Sequence, residues 1–194
     1  MRFLVRLSNG TKLTPKDAGE LTLLSYGAVK EFGGDVGNLR VSSSAIEVDL
    51  LLESRVNLQA ATQSLENKLG SLLTLRELDI SSPQMESGDA IREGIQLFNE
   101  ERFWESHEAL ESAWRRAYGA DKEILQGIIL LAAALVHLQK NEIAVTLSVM
   151  RRAHSKLTHY HSEHFGINLD NLRDEVSRMI SKNHPDFFKI NLES

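Results

Sequence analysis

Across Ser81-Ser82-Pro83-Gln84-Met85-Glu86-Ser87-Gly88 the hydrophobic pattern changes its period from that of a strand to that of a helix. One packing scheme cannot serve both patterns, and small polar residues, a proline and a glycine are what a boundary needs. The expected organisation is an α+β domain over residues 1–82, a linker over 83–87 and an all-α domain over 88–194.

Upstream, Phe3, Val5 and Leu7 fall at every second position, with the charged Arg2 and Arg6 among the alternate ones, as in a half-buried strand. Thr14-Pro15-Lys16-Asp17 reads as a helix start, with a capping hydroxyl, a proline at the first helical position and a negative charge in the first turn. Leu21, Leu24, Ala28 and Phe32 continue a helical stripe that Gly33-Gly34 can end. Strands are expected over Val36–Ser42, Ala45–Glu53 and Leu72–Ile80, with a helix over Val56–Leu69 stopped by Gly70. The order β-α-β-β-α-β suits a ferredoxin-like sandwich, an antiparallel sheet covered on one face by two helices. An alternative places an extra hairpin at Ser8-Asn9-Gly10, because Asn-Gly favours tight turns. One face of the third strand carries Ile46, Val48, Leu50 and Leu52; the other carries Glu47, Asp49 and Glu53 without a stacking aromatic, which disfavours RNA.

Downstream, about five helices form the all-α half: Asp89–Asn99, Phe103–Tyr118, Glu123–Lys140, Asn141 to about Tyr160, and Leu169–Ser181. The third is apolar almost all round, the mark of a helix buried on most sides. The spacing of Gly94, Phe98, Phe103 and Ala109 resembles a tetratricopeptide hairpin, although the second pair of helices does not repeat those residues. His184-Pro185-Asp186-Phe187-Phe188-Lys189-Ile190 reads as a tail docked through its two phenylalanines.

Two of these helices carry polar residues on lines of apolar ones. Phe103, His107, Leu110 and Trp114 share a face, and Glu111 lies one turn beyond His107. On the next helix Gln126, Ala133 and His137 fall on one line, with Asn141 a turn further. Such groups, turned inward, need partners, because burial without them costs several kcal/mol. They predict a buried polar centre that binds through His107, Glu111, Trp114, Gln126, His137 and Asn141. One form of it is a hydrogen-bonded network that fixes helix packing. Another is a two-histidine, one-carboxylate set of His107, Glu111 and His137 for a divalent metal such as zinc. His107-Glu108-Ala109-Leu110-Glu111 begins like a zinc-protease helix and then departs from it, with Glu111 where the second histidine belongs. A metal-dependent hydrolase built there would use Glu108 as its candidate general base, although Glu108 lies about 100° round the helix from His107. His154, His159, His161 and His164 read as a solvated tract.

The same residues carry a family resemblance. Phe98-Asn99, Phe103-Trp104-Glu105, His107 to Glu111, Trp114, Gln126-Gly127-Ile128, Ala132-Ala133-Ala134, His137 and Asn141 resemble the domain of unknown function 309 family. The likeness covers about Ala90 to Leu157 and leaves the β-α-β-β-α-β half outside. It implies an all-helical fold and shared polar positions at His107, Glu108, Glu111, Gln126, His137 and Asn141, and brings no established activity. The chain departs from the family pattern at Glu100-Glu101-Arg102, where a glycine turn is usual.

Composition narrows the function classes. Of 194 residues 42% are hydrophobic and 25% charged, as in an ordinary globular protein. A net charge of −5 argues against nucleic acid as the partner. The absence of cysteine excludes disulfides, thiolate nucleophiles and cysteine-held metals, and suits a cytoplasmic location. The longest apolar run, Ile128–Val136, is too short to cross a bilayer. The expected function is that of a ligand-binding or protein-interaction helical module, with an unidentified small molecule or protein as partner, a second copy of the chain included.

Overall fold

The computed structural model describes residues 1–78 and 86–192. It is a mixed α+β structure that divides into two compact units, one of Met1–Ser82 together with Gln139–Asn141, the other of Pro83–Leu138 and Glu142–Ser194. Most of the expected boundary, with Asp79 and Ile80 of the last expected strand, lies outside the described residues.

In the first unit the strands β1 (Arg2–Ser8), β2 (Gly34–Val41), β3 (Ala45–Leu52) and β4 (Leu72–Glu77) form one antiparallel sheet in the order β2-β3-β1-β4. Helix α1 (Ala18–Val29) joins β1 to β2 and α2 (Leu58–Leu69) joins β3 to β4, each entered through a short 3-10 turn. Thr14 and Asp17 form the expected capping box, with the Thr14 N–H donating to Asp17 Oδ2 at 2.7 Å. Burial of Phe3, Val5 and Leu7 from β1, Ile46, Val48 and Leu50 from β3, and Leu21, Ala28, Ala61 and Leu65 from the helices makes the core. Leu24, expected on the α1 stripe, is exposed, and Ser25 is buried in its neighbourhood with its hydroxyl donating to the Leu21 carbonyl at 2.7 Å. Asn9 and Gly10 make no extra hairpin. The Asn9 amide is instead buried and donates to the carbonyls of Leu13 and Ser42 at 2.8 Å. Gly70 has φ +148, and a Cβ there would meet the Ser8 carbonyl at 2.2 Å, so only glycine fits. Edge strand β4 leaves Leu72, Leu73 and Leu75 exposed.

The charged face of the sheet differs from expectation. Glu47 and Asp49 are buried, and three arginines neutralise them. Arg40 Nε donates to Glu47 at 3.0 Å and its Nη2 to Asp49 at 2.7 Å; Arg2 reaches Asp49 at 2.6 Å and Arg6 lies 3.6 Å from Glu47. Glu47 stands directly opposite both Arg6 and Arg40 in the pairing of the three strands. Burial would raise the Asp49 carboxyl, but the arginines, Arg40 foremost, outweigh it and hold the group below the usual range.

The second unit holds helices α3 (Ser87–Asn99), α4 (Phe103–Trp114), α5 (Gly119–Gln139), α6 (Ile143–Leu157) and α7 (Leu169–Lys182). A two-stranded hairpin of β5 (Glu163–His164) and β6 (Ile167–Asn168) precedes α7. Close approach decides the helix pairing. Gly94 on α3 lies against Leu110 on α4, where a Cβ would come within 2.5 Å of the leucine Cγ, and Gly127 on α5 meets Leu157 on α6 in the same way at 2.7 Å. Ile95, Phe98, Phe103, Leu110, Ile128, Leu131, Leu135, Met150 and Leu157 fill the core between them. No helix among the described residues is long and apolar enough to cross a membrane.

Candidate functional site

The site is set by how α3 hands over to α4. Helix α3 is closed by Glu101, which follows its cap and has φ +59; the Arg102 N–H then donates back to the Leu97 carbonyl at 2.9 Å and the Glu101 N–H to that of Phe98 at 3.0 Å. That is a Schellman stop, the conformation for which a glycine is the usual residue. Helix α5 stops in the same way forty residues later in the sequence: Asn141 has φ +62 and the Glu142 N–H donates to the His137 carbonyl at 2.9 Å. The following residues match too, Arg102 at φ −91, ψ 57 and Glu142 at φ −91, ψ 62. The buried residue four further on is Ser106 in one hairpin and Thr146 in the other.

This geometry fixes which faces are buried. On α4 the innermost line is Phe103, Ser106, Leu110 and Ala113. The Ser106 hydroxyl donates to the Gly94 carbonyl at 2.7 Å and so is satisfied where the helices meet. Next to it Glu105 is buried in a two-pronged ion pair with Arg102, at 2.7 and 2.8 Å, and that carboxylate, with Glu100, raises the Arg102 guanidinium further above its ordinary value.

The expected polar centre is therefore corrected in position. His107, Glu111 and Trp114 lie on the flank of α4 and are half-buried, while Glu108 is exposed. Glu111 accepts from Arg115 Nη2 at 3.1 Å, an ion pair within the helix. The Trp114 Nε1 is buried without a hydrogen-bond partner among the described residues, and Lys122 Nζ lies 4.6 Å from the ring centroid. On α5, Gln126 and His137 are half-buried, on the least covered line of a helix otherwise buried. His137 Nδ1 hydrogen bonds with the Glu142 carboxylate and so braces the stop of its own helix. Asn141 is exposed and supplies the left-handed residue of that stop. No group of three or more His, Asp or Glu side chains among the described residues is placed to hold a metal ion, so His107, Glu111 and His137 are not gathered as a ligand set.

Sequence reasoning passed over Asn99. Its amide Nδ2 donates to the Ile190 carbonyl and its Oδ1 accepts from the Ile190 N–H, both at 2.8 Å. The tail is docked as expected: Phe188 packs edge-on against Phe98 with centroids 5.3 Å apart, and Phe187 lies against Phe103 at 5.6 Å. The signal was present in the adjacent Phe98-Asn99 pair of the family pattern, where a polar residue directly follows a core aromatic.

The histidine tract is partly tethered. His161 Nδ1 pairs with Asp170 at 3.0 Å and His164 Nε2 with Asp121 at 2.8 Å. Asp170 also accepts from the Ser162 N–H and from Arg173; the Ser162 N–H, then His161 and Arg173, pull its carboxyl down to about 2.

Residues 91–149 match the family described as domain of unknown function 309. Among solved structures the chain is similar to a conserved hypothetical protein, TTHA0068, from Thermus thermophilus. The two are 32% identical, over 46% of this chain and 94% of that one, with a TM-score of 0.41. Comparison with curated proteins gives no match. The helical half thus carries, over residues 91–149, the domain of the domain of unknown function 309 family.

Proposed function

We propose that the helical unit is a protein-interaction module of stacked helical hairpins. The observation that carries this reading is the repeated stop: Glu101 and Asn141 close α3–α4 and α5–α6 with the same left-handed turn and the same backward hydrogen bond. Stacked hairpins of this kind gain their function from extended surfaces rather than from a closed pocket. The half-buried row of His107 and Glu111, with Gln126 and His137, supplies accessible polar groups for such a surface. On this reading residues 83–87 are a linker, residues 88–194 the interaction domain, and residues 1–82 a scaffold of ferredoxin-like type, for which the strand order β2-β3-β1-β4 is the support. The setting that suits a cysteine-free chain is the cytoplasm.

The test is affinity capture from cell extract with the intact chain and with a His107→Ala/Glu111→Ala variant, after both are shown to unfold cooperatively at similar temperatures. A protein retained by the first and lost by the second supports the reading. Identical capture by both chains removes this row as the interaction face.

A further inference from the structure

The α3–α4 hairpin holds an extended stretch of chain in the manner of a receptor holding a peptide. Asn99 satisfies the N–H and the carbonyl of one tail residue with a single amide, a contact with backbone and not with side chain. Around it the tail reads as alternating anchors and solvated positions. Pro185 and Ile190 are buried, Phe187 and Phe188 are half-buried against Phe103 and Phe98, and Asp186 and Lys189 are exposed. The tail has no helix or strand of its own up to Leu192, which makes an isolated bridge to Ile167. It leaves α7 at Asn183, a left-handed stop with φ +48, and a cleft of about 300 Å³ lined by Arg178, Met179, Lys182, His184 and Phe187 among others runs beside it.

From these contacts we infer that the surface bearing Phe98, Asn99 and Phe103 is a recognition groove for an extended segment of the type aromatic-aromatic-x-aliphatic. The chain's own Phe187-Phe188-Lys189-Ile190 fills it in cis, and a segment of the same chemistry from a partner protein fills it in trans. The inference rests on the interaction-module reading and names the class of partner. Three features set the specificity. The backbone clamp demands an extended residue with both peptide groups free. The two rings demand adjacent aromatic side chains. The buried Ile190 demands an aliphatic residue two positions beyond them. The tethered tail acts at an effective concentration of order millimolar, so it competes with any partner segment and keeps the groove closed until that segment is abundant or the tail is drawn away.

The test uses the full chain and, as probe, a fluorescein-labelled peptide of residues 184–192. A Phe187→Ser/Phe188→Ser variant, which empties the groove, binds the peptide. The wild-type chain binds it roughly a hundredfold more weakly, because the tail competes in cis. Adding Asn99→Ala to the emptied chain weakens binding by roughly thirtyfold. If the emptied variant does not fold, a protease site placed between Asn183 and His184 of the full chain serves instead: after cleavage the labelled peptide exchanges with the retained tail. A folded, emptied variant that does not take up the peptide, or a cleaved chain that never exchanges, overturns the groove. Either failure leaves the capture experiment on His107 and Glu111 standing. Peptide binding with no difference in capture sinks the His107 row alone.

Discussion

The side-chain amide of Asn99 makes the same two hydrogen bonds to Ile190 that a neighbouring β-strand would make, both at 2.8 Å. Ile190 is 2% exposed, so its backbone groups are shielded from water while the tail is docked. Asn99→Ala leaves an N–H and a carbonyl buried without partners and costs about 2 kcal/mol. Urea unfolding measures the loss, and amide hydrogen exchange of residues 185–190 shows it concentrated in the tail. An unchanged exchange rate at Ile190 would mean that the amide is dispensable.

Glu101 occupies a left-handed position at φ +59 that glycine adopts without cost. Glu101→Gly restores the family's usual turn and stabilises the chain by about 1 kcal/mol. Asn141→Ala, at the matching stop, destabilises by a similar amount, since alanine tolerates φ +62 less well than asparagine. Opposite signs for the two variants in denaturant melts are the expected result.

Arg40 is 2% exposed and sits between Glu47 and Asp49. Arg40→Leu leaves two buried carboxylates short of the cation they share and costs about 3 kcal/mol or more at neutral pH. The deficit narrows in acid, as the carboxylates of the variant take up protons. A loss below about 1 kcal/mol, within the range of exposed pairs, would contradict this account.

Asp170 titrates at about 2 in the folded chain, against 3.8 as its reference. A carboxyl depressed on folding contributes stability that is complete above its unfolded value and is lost as pH falls through its folded one. Between about pH 4 and pH 2 the β5–β6 hairpin therefore loosens first around Ser162 and His161. In Asp170→Asn the melting temperature changes less over that window than in the wild type.

Much of the fold was legible because periodicity and punctuation agreed. Ile46, Val48, Leu50 and Leu52 are buried on one face of β3, and Gly33, with φ +70, closes the turn after α1. The polar site was less legible, for a definite reason. On α4 the true inner line runs through Ser106, a small residue whose hydroxyl is satisfied by the Gly94 carbonyl. In sequence a serine looks solvated and Trp114 looks buried, so the face is drawn too far round and His107 is carried inside. On α5 the line of Gln126, Ala133 and His137 is half-exposed on a helix otherwise apolar, and polarity there marks the outside. Asn141 was read by its chemistry when its backbone is what matters. On the sheet, the acids Glu47 and Asp49 were visible, but Arg2, Arg6 and Arg40 are distant in sequence, and only the pairing of three strands brings them together.

That arrangement of arginines and acids also guards against misthreading. Sliding β1 by a single residue along β3 would turn Arg2 and Arg6 toward α1 and α2 and expel Phe3, Val5 and Leu7 into their places. Such a slip strands cations in oil and anions without counterparts, so the charges act as proofreaders of strand assembly even where they add little to its final strength.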